Sequence, residues 1–168
     1  MRCVVADTSP LFYLAQLELL HLARELYGTV LVPSAVWAET LAGGRAVPKL
    51  MPQFLAAESE GWLVIKQSPQ TTAPAGLDEL DAGEREAIHL AQAIRADLLM
   101  IDERLGRNAA HRLGLKIIGT LGILAAAKHA GHIAQLKPLL ARLRSETNFR
   151  CSASLENEVL EAAGEAIR

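Results

Sequence analysis

Two aspartates in this chain each follow a short apolar run. Asp7 comes directly after Cys3-Val4-Val5-Ala6, and Asp102 directly after Leu98-Leu99-Met100-Ile101. Apolar runs of this length, bounded by polar residues, are predicted as buried strands. If the two strands are parallel neighbours, both carboxylates leave the sheet at one edge. In open α/β sheets ligands bind at that edge, outside the carboxyl ends of the strands. Carboxylates gathered there repel one another unless something positive lies between them. A hard divalent cation with oxygen ligands is the usual partner, so these residues point to a site of the Mg²⁺ or Mn²⁺ type.

Each candidate also has a plainer explanation. Asp7 could satisfy open amides at a helix start, although Thr8 and Ser9 can already do so. Asp102 could cap a helix beginning at Glu103. Positions 84, 87, 88, 91 and 94 fall on one helical face, so Glu84 heads a stripe formed by Ala87, Ile88, Ala91 and Ile94. Asp81 and Glu84 also fit a capping box, which would explain Glu84 without chemistry. Glu39 reads as an ordinary surface acid of its helix. Arg104 and Arg107 lie one turn apart on one face, suited either to phosphate or to an ion pair with Glu103. His89, His111, His129 and His132 show no ligand-type pairing and are expected to face solvent. The Gly43-Gly44 and Gly119-Thr120-Leu121-Gly122 runs match no phosphate loop, and serine-nucleophile spacing is absent.

The elements that must position these residues alternate along the chain. Strands are predicted over 2–6, 29–32, 62–65, 98–101 and 116–118. Ser9 as cap and Pro10 in the first turn begin a helical stretch, intact or broken in two, that runs to about Leu26. Pro33-Ser34 opens a helix to about Leu41, which Gly43-Gly44 should break. Further helices are expected over about 48–60, 82–95, 103–113, 120–131 and 134–144. Residues 67–76 are the best loop candidate, and the tail from Phe149 to Arg168 has helical spacing at Leu155, Val159, Leu160 and Ala163. Strands alternating with helices predict an α/β fold with a parallel sheet covered on both faces.

Composition sets the outer limits. A chain of 168 residues, 51% hydrophobic and 21% charged, suggests one domain with a substantial core. Aromatics are only 4%, so the core should be mostly aliphatic and base-stacking platforms are disfavoured. The net charge of −2 is not that of a protein that coats nucleic acid nonspecifically, although it leaves local patches open. No apolar run approaches the roughly 18 residues of a membrane span, and Met1-Arg2-Cys3-Val4 lacks a signal-peptide layout. Cys3, expected in a buried strand, and Cys151 form no metal-type spacing. Together these features lead to the expectation of a cytoplasmic protein with reduced thiols.

Asp7-Thr8-Ser9-Pro10, Glu39, Leu80-Asp81-Ala82-Gly83-Glu84-Arg85-Glu86-Ala87-Ile88 and Ile101-Asp102-Glu103-Arg104 occur in that order. The set resembles the PIN domain family, in particular small prokaryotic PIN-like proteins related to VapC toxins. Gly119-Thr120-Leu121-Gly122-Ile123-Leu124 and Lys137-Pro138-Leu139-Leu140 look like a poorly characterised PIN-like subfamily. The resemblance implies a three-layer α/β/α fold over residues 1–150, which leaves 151–168 as a helical extension on the same domain. It implies that Asp7, Glu39, Glu84 and Asp102 bind Mg²⁺ or Mn²⁺, with Thr8 orienting Asp7. It further implies an endoribonuclease, the toxin of a type II pair, acting on RNA as a homodimer and blocked by a cognate antitoxin. The alternative is a catalytically silent PIN scaffold that binds a partner protein. Ser9 stands where haloacid-dehalogenase-like phosphatases carry a second Asp, and the acid cluster of a receiver domain is missing. Two features depart from the family pattern: Glu rather than Asp at the third acid, and Ile101-Asp102-Glu103-Arg104-Leu105-Gly106-Arg107 where the fourth acid often has a nearby second Asp and a Phe, so that a share of Glu103 in metal binding stays open.

Overall fold

The fold is that of a computed structural model, and the structure describes residues 2–165. Five short strands form one parallel sheet: β1 (Val4–Ala6), β2 (Val30–Pro33), β3 (Leu63–Lys66), β4 (Leu98–Met100) and β5 (Ile117–Ile118). Among the described residues nine helices connect and follow them. These are α1 (Thr8–Gln16), α2 (His21–Tyr27), α3 (Ser34–Ala46), α4 (Met51–Ser59), α5 (Ala82–Ala93), α6 (Arg104–Arg112), α7 (Thr120–His129), α8 (Lys137–Glu146) and α9 (Ala153–Ala162).

The strand order is β3-β2-β1-β4-β5. The first three strands progress in one direction, and β4 then returns to the other side of β1. This reversal creates a topological switch point between β1 and β4, the crevice that open α/β sheets use for ligands. Ala6 pairs with Met100 across it, so Asp7 and Asp102 follow their strands at the same edge.

The architecture is the expected three-layer one. Helix α5 packs on β1, β2 and β4 with α6 beside it, while α1 and α2 meet α7. Val4, Val5 and Ala6 are fully buried, as befits the central strand of a sheet covered on both faces. Most of the largest enclosed side chains are aliphatic, Leu11, Leu14, Ile88, Leu99 and Ile101 among them, with Phe54 the aromatic one.

Several local expectations are corrected. The helix α3 runs through Gly43-Gly44 instead of stopping there. A Cβ on Gly43 would lie 3.2 Å from Phe12 Cε2, and one on Gly44 3.1 Å from Met51 Cε. The glycines therefore let α1 and α4 approach closely, and that packing outweighs their cost of about 1 kcal/mol each in a helix. The first helical stretch is indeed divided into α1 and α2, with Glu18 at a positive φ of 63° in the break. Helix α1 begins at Thr8, so Asp7 rather than Ser9 holds the N-cap position. Cys3 precedes β1 and is only half-buried. His89 is buried and shares a 3.1 Å hydrogen bond with the Thr71 hydroxyl, which ties the 67–81 connection to α5.

The tail is anchored on α7 and α8. Leu160 of α9 is buried, and α9 packs on α7. Glu165 bonds the Lys128 ammonium and accepts from the Leu136 and Lys137 amides. Residues 166–168, the end of the stretch predicted to be helical, lie outside the described residues.

Candidate active site

Asp7 is 2% exposed, at the tip of the central strand. Its own amide completes the β1–β4 pairing by donating to the Met100 carbonyl at 2.9 Å. Although it sits at the N-cap of α1, its side chain makes no capping hydrogen bond. Burial raises its carboxyl to about 8. The Thr8 amide opposes that shift, and the charges of Asp81, Glu84 and Glu39 add to it.

Glu84 enters from α5. Asp81 caps this helix by accepting from the Glu84 amide at 2.8 Å, as the box spacing predicts. The box does not exhaust Glu84, whose Oε1 is buried without a hydrogen-bond partner. Such an orphaned charged oxygen is costly in a folded interior. Burial raises the Glu84 carboxyl to about 7, and Asp81, Glu103 and Glu39 push in the same direction against the Asp81 amide.

Glu39 and Asp102 are held differently, each by two protein donors. Glu39 Oε2 accepts from the Thr8 hydroxyl at 2.6 Å and Oε1 from the Gly83 amide at 2.9 Å. It thus joins the start of α1 to the start of α5, and the residue that Thr8 orients is Glu39 rather than Asp7. Asp102 does not cap α6; Glu103 occupies that position, also without a side-chain cap. Asp102 reaches instead to the first residue of α7, accepting from the Thr120 amide at 2.8 Å and its hydroxyl at 2.6 Å. Burial raises its pKa, while Thr120 and the Arg107 guanidinium lower it.

The two arginines have different surroundings. Arg107 donates to the Ile101 carbonyl at 3.0 Å, beside Asp102, whereas Arg104 is exposed. Among the described residues neither pairs with Glu103. Glu103 raises the pKa of both Glu84 and Asp102, and so belongs to one electrostatic cluster with the four acids.

Three glycines give the acids their room. A Cβ on Gly83 would overlap the Glu39 carboxylate, with Oε1 at 2.8 Å. One on Gly106 would lie 2.9 Å from Glu84 Oε1, and one on Gly119 2.7 Å from Asp102 Oδ1. Real Cβ atoms do not tolerate such distances, so each of these acids is packed against a position where only hydrogen fits.

The donor set consists of carboxylate oxygens, buried at Asp7 and Glu84 and half-buried at Glu39 and Asp102, which suits a small hard cation and not a thiophilic one. Among the described residues no three Asp, Glu, His or Cys side chains already stand as a ligating group. Glu39 and Asp102 are engaged by protein donors, and among the described residues the buried oxygen without a partner is Glu84 Oε1. An orphaned Glu84 oxygen among mutually repelling acids is the feature a cation would satisfy, so the residues fit the group.

A sequence profile of the PIN domain matches residues 3–165. This chain belongs to the PIN domain family. Proteins of the family are generally nucleases that use divalent metal ions. No curated protein matches the sequence. Among solved structures, this PIN domain is similar to a PilT N-terminus domain protein from the hyperthermophilic archaeon Sulfolobus solfataricus P2. The TM-score is 0.54 at 17% identity, over 74% of this chain and 92% of the other. At that identity the likeness speaks for the fold alone. Among the described residues, no helix of the PIN domain is long and apolar enough to cross a membrane.

The sequence by itself does not assign Asp81, Thr120, Gly83, Gly106 or Gly119 to the site. Asp81 was visible only as a cap, yet it is the strongest of the charges acting on Asp7 and Glu84. A signal for Thr120 exists in the sequence: it lies two residues past a strand, at the start of a helix on the sheet edge that carries Asp7 and Asp102.

Proposed function

We propose that this PIN domain is a divalent-metal-dependent endoribonuclease that hydrolyses RNA phosphodiesters at the β1–β4 crevice. The observation that carries the reading is the buried, unpartnered Glu84 Oε1, in a cluster of acids whose charges act on one another. Asp7, Glu84 and Asp102 would hold the cation, Mg²⁺ or Mn²⁺, and Glu39 would contribute directly or through water. When bound, such an ion lowers the pKa of water and stabilises charge on phosphoryl oxygens.

The chain's own residues do the rest. Thr8 and the Gly83 amide fix Glu39, so that the starts of α1 and α5 keep their spacing. Arg107, anchored on the Ile101 carbonyl, keeps guanidinium donors available for a phosphate at the site edge. Arg104 at the exposed start of α6 is a second contact for the RNA backbone. The resemblance to VapC-like proteins extends the proposal to a toxin that works as a homodimer with a cognate antitoxin. The proposal includes a cytoplasmic location, on the sequence features given above, with residues 1–150 as the working domain and 151–168 as its extension.

A second reading, a silent PIN scaffold that binds a protein, is favoured by one observation: two of the four acids are already engaged by protein donors. Cleavage of a mixed RNA pool separates the two. Wild type and Asp102→Asn are incubated with Mn²⁺, with Mg²⁺ and with chelator. The nuclease reading expects cleavage that requires metal and disappears in the variant. Intact RNA in every lane, with no effect of metal on the melting temperature, would overturn it in favour of the scaffold.

A further inference from the structure

Asp102 has an unusual support. Both of its oxygens are met by one residue, Thr120, through the backbone amide at 2.8 Å and the hydroxyl at 2.6 Å. Thr120 is fully buried and starts α7, the ten-residue helix that follows β5. A carboxylate at a helix start is favoured by the open amides and by the helix dipole. The neighbouring residue leaves no slack, because a Cβ on Gly119 would lie 2.7 Å from Asp102 Oδ1 and 2.9 Å from an Arg107 nitrogen. Arg107 is itself fixed by the Ile101 carbonyl at 3.0 Å. Asp102 is thus confined by a bidentate donor, by the close-packed Gly119 and by the neighbouring Arg107 guanidinium.

We propose that Thr120 is a positioning residue, which holds the Asp102 carboxylate in one orientation so that its remaining lone pairs serve a divalent cation. This rests on the metal-dependent reading above. A carboxylate oxygen accepts more than one hydrogen bond or ligand, so the Thr120 contacts leave Asp102 coordination capacity. They remove its freedom to rotate, and the entropy of ordering that side chain is then already spent before the ion arrives. Partners of this kind to metal ligands typically change metal affinity by about 10–100-fold when they are lost.

The hydroxyl and the buried methyl of Thr120 can be separated by two variants. Thr120→Val keeps the volume and the amide but deletes the hydroxyl. Thr120→Ser keeps the hydroxyl but deletes the methyl. The readout is Mn²⁺ affinity from titration of free Mn²⁺, measured with the melting temperature of each metal-free protein and with kcat and KM for RNA. Thr120→Val is expected to bind Mn²⁺ about 10–100-fold more weakly and to lose kcat at subsaturating metal, with KM for RNA little changed. Thr120→Ser is expected to bind Mn²⁺ nearly as wild type does, even where its melting temperature falls. Wild-type binding with equal affinity in Thr120→Val overturns the proposal and leaves the nuclease reading intact. Affinities that follow melting temperature across both variants also overturn it, since Thr120 would then be merely structural. A wild type that neither binds Mn²⁺ nor cleaves takes down both readings together.

Discussion

Glu84 and Glu165 are both enclosed glutamates, and the fold treats them in opposite ways. Glu84, 5% exposed, has a buried oxygen with no donor, acids around it, and a pKa pushed up to about 7. Glu165, with 14% of its side chain exposed, also suffers burial, but Lys128 and the Leu136 and Lys137 amides outweigh it and hold its pKa at about 2. The first arrangement destabilises an ionised carboxylate and the second stabilises it. Burial is common to both, so it does not mark function. The distinction lies in whether donors accompany the burial, and it is the carboxylate left without them inside an acidic cluster that a cation would satisfy.

The strongest way to break this comparison is a pH series on metal-free protein. Asp7 is raised from 3.8 to about 8 and Glu84 from 4.5 to about 7, so across that interval the folded state keeps protons that the unfolded state releases. Stability should therefore fall as pH rises from about 4 to about 8, and Asp7→Asn should flatten the fall while raising the melting temperature at neutral pH. Glu165 has the opposite sign. Its stabilisation is complete above 4.5 and is lost as pH falls towards about 2. Thermal melts at each pH, with and without Mn²⁺, read both slopes. A flat profile in wild type would mean that the two upper acids are not under strain.

Gly83→Ala sharpens the comparison at the seat of Glu39. The added Cβ overlaps the carboxylate that joins α1 to α5. Destabilisation of about 1–3 kcal/mol is expected from overpacking, measured by denaturant titration, with weaker metal response as Glu39 is displaced. The smallest effect belongs to Glu165→Gln. Losing the charge at the α8 start and the Lys128 pair should cost about 1–2 kcal/mol and leave metal-dependent RNA cleavage per folded molecule unchanged. A cleavage defect there would show that the two regions communicate.

The strand-terminal acids were legible because their signal is local: an apolar run and then a carboxylate, twice. The parallel sheet followed from the alternation of elements. What escaped depends on partners distant in the chain. Gly43-Gly44 reads as a break until Phe12 and Met51 are seen against it. Thr8 reads as the neighbour of Asp7, although its hydroxyl reaches Glu39, 31 residues away. His89 reads as a solvent-facing histidine until the 67–81 connection folds over it with Thr71. Glu39 looked ordinary for the same reason, since nothing within its own helix announces the Gly83 amide. Thr120 reaches Asp102 across 18 residues and a strand.

The place of β1 also has a consequence for how the chain is made. Of the sheet's five strands it comes first in chain order and lies at the centre, with β2 on one side and β4 on the other. While only the first half of the chain has emerged from the ribosome, β1 can pair with β2 but its second edge has no partner. Asp7 then waits without Glu84 or Asp102, and Asp102 without Thr120. The acid cluster is complete only once β4 and α7 are seated, after β2 and β3 have been made.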